Sequence, residues 1–197
     1  MFTVSELERL ASWGSLESGF DLLDTIPRSE SQWRKRIEHP LMTRLKRQCS
    51  ASVVVSAHGQ DGHSTYFHFF FHPDGALKRR PAPRGEELEQ AEVSVVYLSL
   101  LTPVAVFGRG TYSVHRSPKG HGWSHPSIDL DTALDPAMSR LSDLEKCVLD
   151  AVADHGYRFP PLAELEAMLP AHIRPQEYCL GRQPWDKIFH VLFANTD

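Results

Sequence analysis

Between residues 53 and 72 the chain has the pattern of two strands joined by a turn. Val53-Val54-Val55-Ser56-Ala57-His58 leads into Gly59-Gln60-Asp61-Gly62 and then into a run from His63 to His72 that includes Tyr66, Phe67, His68, Phe69, Phe70 and Phe71. Two β-prone runs around a short Gly-Asp-Gly loop predict a hairpin. Strand side chains alternate between faces, so Phe67, Phe69 and Phe71 share one face and Tyr66, His68, Phe70 and His72 the other. The first set predicts a buried face. The second, mixing rings and imidazoles, predicts a half-wet one. Residues 93–101 carry the next strand signal, ended by Thr102-Pro103. Residues 104–107 and 111–115 predict one more strand, with Gly108 and Gly110 marking a bulge or bend. The basic, Pro-rich stretch 77–85 reads as an exposed strand end and loop, and 86–91 as one helical turn.

The ends of the chain change period. Val4, Leu7, Leu10 and Ala11 fall on one helical face behind Thr3, and Glu6 supplies the capping-box spacing. Phe20, Leu22, Leu23 and Ile26 form a short apolar patch. Helices are predicted over 31–38, closed by His39-Pro40, and over 41–48. Residues 139–155 place Leu141, Leu144, Val148, Leu149 and Val152 on one stripe with Gly156 as the stop. A short helix is expected from Leu162 towards Leu169. The clearest helical spacing is Trp185, Ile188, Phe189, Leu192 and Phe193, behind Pro184.

Strands in the middle and helices at both ends, without βαβ alternation, predict an α+β fold. The expectation is a single domain over 1–197, with a central antiparallel sheet of four or five strands at about 50–115. The helical segments 1–49 and 136–197 are expected to pack on one side of it, and 117–135 reads as loop. There are no internal repeats.

Composition adds little: 41% of the 197 residues are apolar and 23% charged, ordinary for a globular chain. No run approaches the roughly 20 apolar residues of a membrane span, and residues 1–8 lack the basic start and apolar stretch of a secretion signal. These features predict a cytoplasmic protein that does not engage membranes. Cys49, Cys147 and Cys179 form no C-x-x-C pair, and an odd, sparse count argues against a disulfide framework and a structural zinc site.

Charge is more informative, because it is segregated. Residues 28–84 carry eleven Lys and Arg against four acids, whereas 85–197 carry nine against sixteen. Basic groups at Arg34, Lys35, Arg36, Arg44, Lys46, Arg47, Lys78, Arg79, Arg80 and Arg84 lie near aromatic residues, as in single-stranded nucleic-acid binders. The acidic balance of the whole chain (pI about 6.2) and the absence of module signatures argue against that partner.

Catalytic and metal signatures are missing. His68 and His72 share a strand face but lie about 13 Å apart along it, too far for one ion. His58 with His63, and His121 with His125, could meet across turns, yet no recognised ligand spacing is present. No nucleophile elbow, P-loop or paired-carboxylate spacing appears, so no cofactor or metal is implied.

The reading that remains is a non-enzymatic module binding another protein of opposite charge, in its sharpest form an immunity or inhibitor protein that neutralises a toxin-like enzyme. Asp129, Asp131, Asp135, Asp143, Glu145, Asp150, Asp154, Glu164 and Glu166 would then face a basic partner, or the basic stretch an acidic one. The alternative is a small hydrolase-type enzyme on the histidine face, with His68 or His72 as general base and Tyr66 or Arg109 as stabiliser. A concave pocket lined by these groups would favour the enzyme, and a charged surface patch the binder.

Overall fold

The computed structural model describes residues 2–12, 33–49, 51–56, 65–82, 86–117, 120–175 and 184–194. Among them, seven strands form one antiparallel sheet: β1 (Ala51–Ser56), β2 (Tyr66–Pro73), β3 (Lys78–Ala82), β4 (Glu86–Ser99), β5 (Ala105–Ser117), β6 (Gly120–Ser124) and β7 (Ala133–Leu134). The order along the sheet is β1-β2-β4-β5-β6, with β3 also on β4 and β7 also on β5. The α+β class and the central antiparallel sheet are as expected. The sheet reaches further than residue 115, because β6 and β7 fall in the stretch that reads as loop, and 86–91 opens β4 instead of forming a helical turn. The loop of the expected 53–72 hairpin, with His58 and His63, and the apolar patch around Phe20 lie outside the described residues.

The helices are α1 (Val4–Ala11), α2 (His39–Gln48), α3 (Asp143–Asp154), α4 (Leu162–Leu165) and α5 (Ile188–Leu192). The cap expected for α1 is present, and α3 carries a second of the same kind. Thr3 Oγ1 accepts from Glu6 N while a Glu6 carboxylate oxygen accepts from Thr3 N, and Ser142 and Glu145 repeat the pattern at α3. The break expected at His39-Pro40 does not occur. A π-helical turn, Arg34–Glu38, runs straight into α2, and His39 N donates to Arg34 O, five residues back. That wider register adjoins the one residue with no N–H to give, so 33–48 forms one helical run across Pro40. The helix expected over 185–193 is shorter. Only Ile188–Leu192 is helical, because Lys187 instead forms a bridge with Met168.

Both faces of the sheet are buried, which corrects the half-wet face and the one-sided packing expected from the hairpin pattern. Phe67, Phe69 and Phe71 pack with Trp33, Leu41 and Leu45 of the 33–48 run and with Val148 and Val152 of α3. Tyr66, Phe70 and Tyr97 pack on the other side with Leu7 and Leu10 of α1, Leu165, Phe189, Phe193 and Ile128. Phenols and imidazoles pass as wet in sequence, but here α1 and α5 pack in one cluster with Tyr66 and Tyr97, and His68 lies against Tyr66, Tyr97 and His125. Thr65 Oγ1 donates to the carbonyl of Leu192, and Thr65 N to that of Ala194, fixing α5 against the end of the sheet. The 33–48 run is anchored by Trp33 Nε1, which donates to Tyr157 Oη at 2.9 Å; Tyr157 Oη in turn donates to Ser99 O at 3.2 Å.

Gly108 and Gly110 do not mark a bulge. Their pairing with Val95 and Val93 is continuous. A Cβ on Gly108 would lie 2.9 Å from Ile128 Cγ1, and one on Gly110 would lie 2.6 Å from Pro126 Cβ. The two glycines let the segment after β6 close onto the sheet, where Ile128 N donates to Tyr97 Oη at 2.9 Å.

The cysteine expectation is also corrected. Cys49, just after α2, and Cys147, in α3, form a disulfide across 98 residues of sequence. Spacing along the chain could not show it, because the two helices meet only in the packed core.

Candidate functional site

Strand register decides where the histidine-face residues go. His68 pairs with Tyr97 and Tyr97 with Val106, while Phe71 pairs with Ser94 and Ser94 with Arg109. Val106 and Arg109 are three apart on β5, so His68 and Arg109 lie on opposite faces of the sheet. Tyr66, His68 and His72 are only 2%, 4% and 3% exposed. The Tyr66 and Tyr97 rings stack at 4.4 Å, and His68 sits 5.4 Å from Tyr97 and 6.5 Å from His125. Burial pushes the Tyr97 phenol up, against the hydrogen bonds it shares with Ile128 and Tyr66. The structure therefore brings Tyr66 and His68 together inside an aromatic core and puts Arg109 elsewhere.

Arg109 stands at an open cleft of about 660 Å³ where β4 and β5 meet the start of α3, lined also by His72, Ser94, Glu92, Arg140 and Asp143. Its Nε donates to Glu145 Oε1 at 2.7 Å and its Nη2 to Glu145 Oε2 at 2.9 Å and to Arg140 O at 2.8 Å. Glu145 Oε1 also accepts from Ser94 Oγ, and Oε2 from Ser142 N. Burial alone would raise the carboxyl of Glu145, but the Arg109 guanidinium, the Ser142 N–H and the Ser94 hydroxyl outweigh it and hold the pKa at about 2. With four donors on two oxygens, Glu145 is a permanently ionised cross-link from sheet to helix, with its acceptor sites filled. It can neither take up a proton near neutrality nor present a surface charge to a partner.

The other acids scatter. Asp129 and Asp131 line a cleft of about 320 Å³ with Asp186, Lys187 and His190, where burial holds the His190 imidazole below its ordinary pKa despite Asp186 nearby. Asp129 Oδ1 accepts from Thr132, and Asp135 Oδ1 from Ala137 N. Asp143, Asp150 and Asp154 lie along α3 on the opposite side of the sheet, with Asp143 paired to Lys146 and Asp154 to Arg44. Glu164 is bound by Arg158, which holds its carboxyl below the usual range, while Glu166 is exposed. The acids of 129–166 thus fall on separate surfaces.

The basic residues behave differently. Within 33–48 the apolar positions Trp33, Leu41 and Leu45 face the core, and Glu38, the run's one carboxylate, is buried and accepts from Arg34. What remains outside is Lys35, Arg36, Lys46 and Arg47, with no ion pair among the described residues. Lys35, His39, Thr43 and Arg47, four apart on one helical face, line a shallow cleft of about 540 Å³ with Arg44 and His155. No carboxylate lines it, unlike the two clefts above. The other expected basic cluster, at β3, is partly neutralised: Arg79 and Arg116 both pair with the buried Glu89, and the Arg116 bond holds that carboxyl low.

Sequence reasoning missed Arg140, Ser94 and Glu89. One signal was available: Ser142-Asp143-Leu144-Glu145 is a capping-box signature, which marks Glu145 as helix-bound and not free. Among the described residues no group of three or more His, Cys, Asp and Glu is placed to hold a metal ion; the side chain of His121 is not among them. No helix among them is long and apolar enough to cross a membrane. No protein-family model matches the chain, and neither a curated protein nor a solved structure is matched by it.

Proposed function

We propose that this chain is a protein-binding module, of the kind that inhibits or neutralises a partner enzyme through a charged surface. One observation carries the reading: the residues that the sequence offered for a catalytic site are locked in the core or in Glu145's hydrogen bonds, while Lys35, Arg36, Lys46 and Arg47 are exposed on the 33–48 helical run with no ion pair among the described residues. Of the charged groups considered from sequence, the cations of 33–48 gather on one helical run, apart from those of β3, whereas the acids of 129–166 fall on separate surfaces. An acidic partner therefore fits better than a basic one. Segregated charge of this sort speeds encounter and sets specificity more than it adds raw affinity.

The Cys49–Cys147 disulfide bears on the setting. Such bonds persist in oxidising compartments and are rare in a reducing cytosol, so it weighs against the cytoplasmic location expected from sequence. The test is capture of partners on tagged protein from native cells at low and high salt, with Lys35→Glu/Arg47→Glu beside wild type. A stoichiometric protein lost both at high salt and in the double variant is the expected result. A partner indifferent to both changes, or none at either salt, overturns the reading.

A further inference from the structure

We infer that the cleft between the outer face of α2 and the C-terminal end of α3 is the binding site for a short acidic segment of a partner protein. This rests on the module reading above and names the partner's chemistry. Six residues line the part that matters: Lys35, His39, Thr43, Arg44, Arg47 and His155. Lys35 and Arg47 mark the two ends of a helical stripe about 18 Å long. About six residues of extended chain span that distance.

The cleft is built to hold its shape. Arg44 is fixed from two sides, donating from Nε to Gln48 Oε1 at 2.8 Å and from Nη2 to Asp154 Oδ2 at 2.6 Å. His155 Nδ1 is hydrogen-bonded with Ala151 O at 2.8 Å. The Cys49–Cys147 disulfide and the buried Leu41, Leu45, Val148 and Val152 hold the two helices side by side beneath. Arg44 is neutralised by Asp154, so among the described residues the unmatched charge sits at the ends, on Lys35 and Arg47, with Arg36 and Lys46 flanking them.

That distribution favours a short acidic peptide over a nucleic acid. Asp154 stands on Arg44, between Lys35 and Arg47, so the stripe is not uniformly basic; a polyanion with a charge on every backbone unit would meet that carboxylate, and like charges at close range oppose binding. An acidic peptide of about six residues carries its charges on side chains, which can meet the cations at the two ends and leave Asp154 uncontacted.

The experiment is a titration of isotope-labelled full-length protein, followed by amide chemical shifts. The probes are a Glu-rich peptide of about eight residues and, separately, a single-stranded oligonucleotide of equal charge. The expected result is peptide-induced shifts concentrated at 35–48 and His155. The affinity should fall roughly tenfold or more in Lys35→Glu/Arg47→Glu and stay unchanged in Lys78→Glu/Arg80→Glu on β3. Tighter binding of the oligonucleotide, equal loss in both variants, or shifts elsewhere would overturn the assignment, as would no binding. The two proposals fail separately. A salt-sensitive partner captured from cells without peptide binding at this cleft removes only the site; peptide binding here without any captured partner removes only the module reading.

Discussion

The Arg109 guanidinium grips both carboxylate oxygens of Glu145, joining the centre of β5 to the first turn of α3. The same carboxylate caps the helix through Ser142 N and accepts the Ser94 hydroxyl from β4. Three elements therefore depend on one ionised group. Its folded pKa of about 2 lies below the ordinary 4.5. The unfolded chain then binds a proton at a higher pH than the native one does, so this contribution to stability is fully present above about pH 4.5 and is lost as pH falls towards 2. Acid unfolding of wild type followed by circular dichroism should show stability declining across that window, and Glu145→Gln should show a shallower decline. An identical acid profile in the variant would exclude the role given to Glu145.

At neutral pH Glu145→Gln should also cost stability outright, since an amide cannot accept the whole set of donors now converging on it. Leaving buried donors unsatisfied costs about 1–3 kcal/mol, and for a chain of this size about 2–4 °C of Tm accompanies each kcal/mol. Thermal denaturation at pH 7 checks this.

The packing of residues 126–128 on the sheet depends on bare glycine. Gly110→Ala would force a Cβ against Pro126 at 2.6 Å, and overpacking of this kind costs about 1–3 kcal/mol. Pro126→Gly removes the atom that is struck. The double variant Gly110→Ala/Pro126→Gly should therefore be less destabilised than the sum of its singles, and denaturant melts of the four proteins measure that coupling. Strict additivity would mean that the glycine serves some purpose other than close approach.

The sheet and its class were legible because period-two apolar runs occupy the middle of the chain and capped, period-3.6 stripes the ends. What covers Tyr66 and His68 was not, because Leu7 and Phe193 pack in the cluster around Tyr66 from nearly opposite ends of the sequence, and His125 meets His68 from 57 residues further along the chain. Nothing local to His68 distinguishes a wet imidazole from one under a lid. The cation stripe was half-visible: Lys35, His39, Thr43 and Arg47 recur every four residues, but only a helix that continues through Pro40 aligns them, and the π-helical turn that permits this has no evident sequence signal. Glu145 was read among surface acids because its partner Arg109 lies 36 residues away on another element.

Tyr157 ties the basic helix to the sheet. Its hydroxyl accepts from Trp33 Nε1 and donates to Ser99 O, and its burial pushes the phenol well above its ordinary pKa. Tyr157→Phe keeps the ring and removes both bonds, leaving the buried Trp33 N–H without this acceptor. A loss of about 1–3 kcal/mol is expected, with a change in Trp fluorescence reporting the altered surroundings of the Trp33 indole. A variant as stable as wild type would show that the helix is held by its apolar contacts alone.

The disulfide offers a prediction about both chemistry and stability. Unfolded, unreduced protein should yield one alkylatable thiol, that of Cys179, and three after reduction, as counted by mass spectrometry; three in both conditions would mean that Cys49 and Cys147 are not joined. The bond closes a span of 98 residues, and on the chain-entropy estimate a loop of that size is worth about 4–5 kcal/mol. Reduction, or Cys49→Ser/Cys147→Ser, should therefore lower Tm by roughly 10 °C or more. Because the bond joins the end of α2 to α3, the reduced protein should lose affinity for the acidic peptide along with its stability, even well below its Tm. Peptide titrations with and without reductant, at a temperature where circular dichroism shows both forms folded, separate the two effects. Equal affinity in both forms would show that the core contacts of Leu41 and Leu45 suffice to hold the cleft, and would restrict the disulfide to a purely stabilising part.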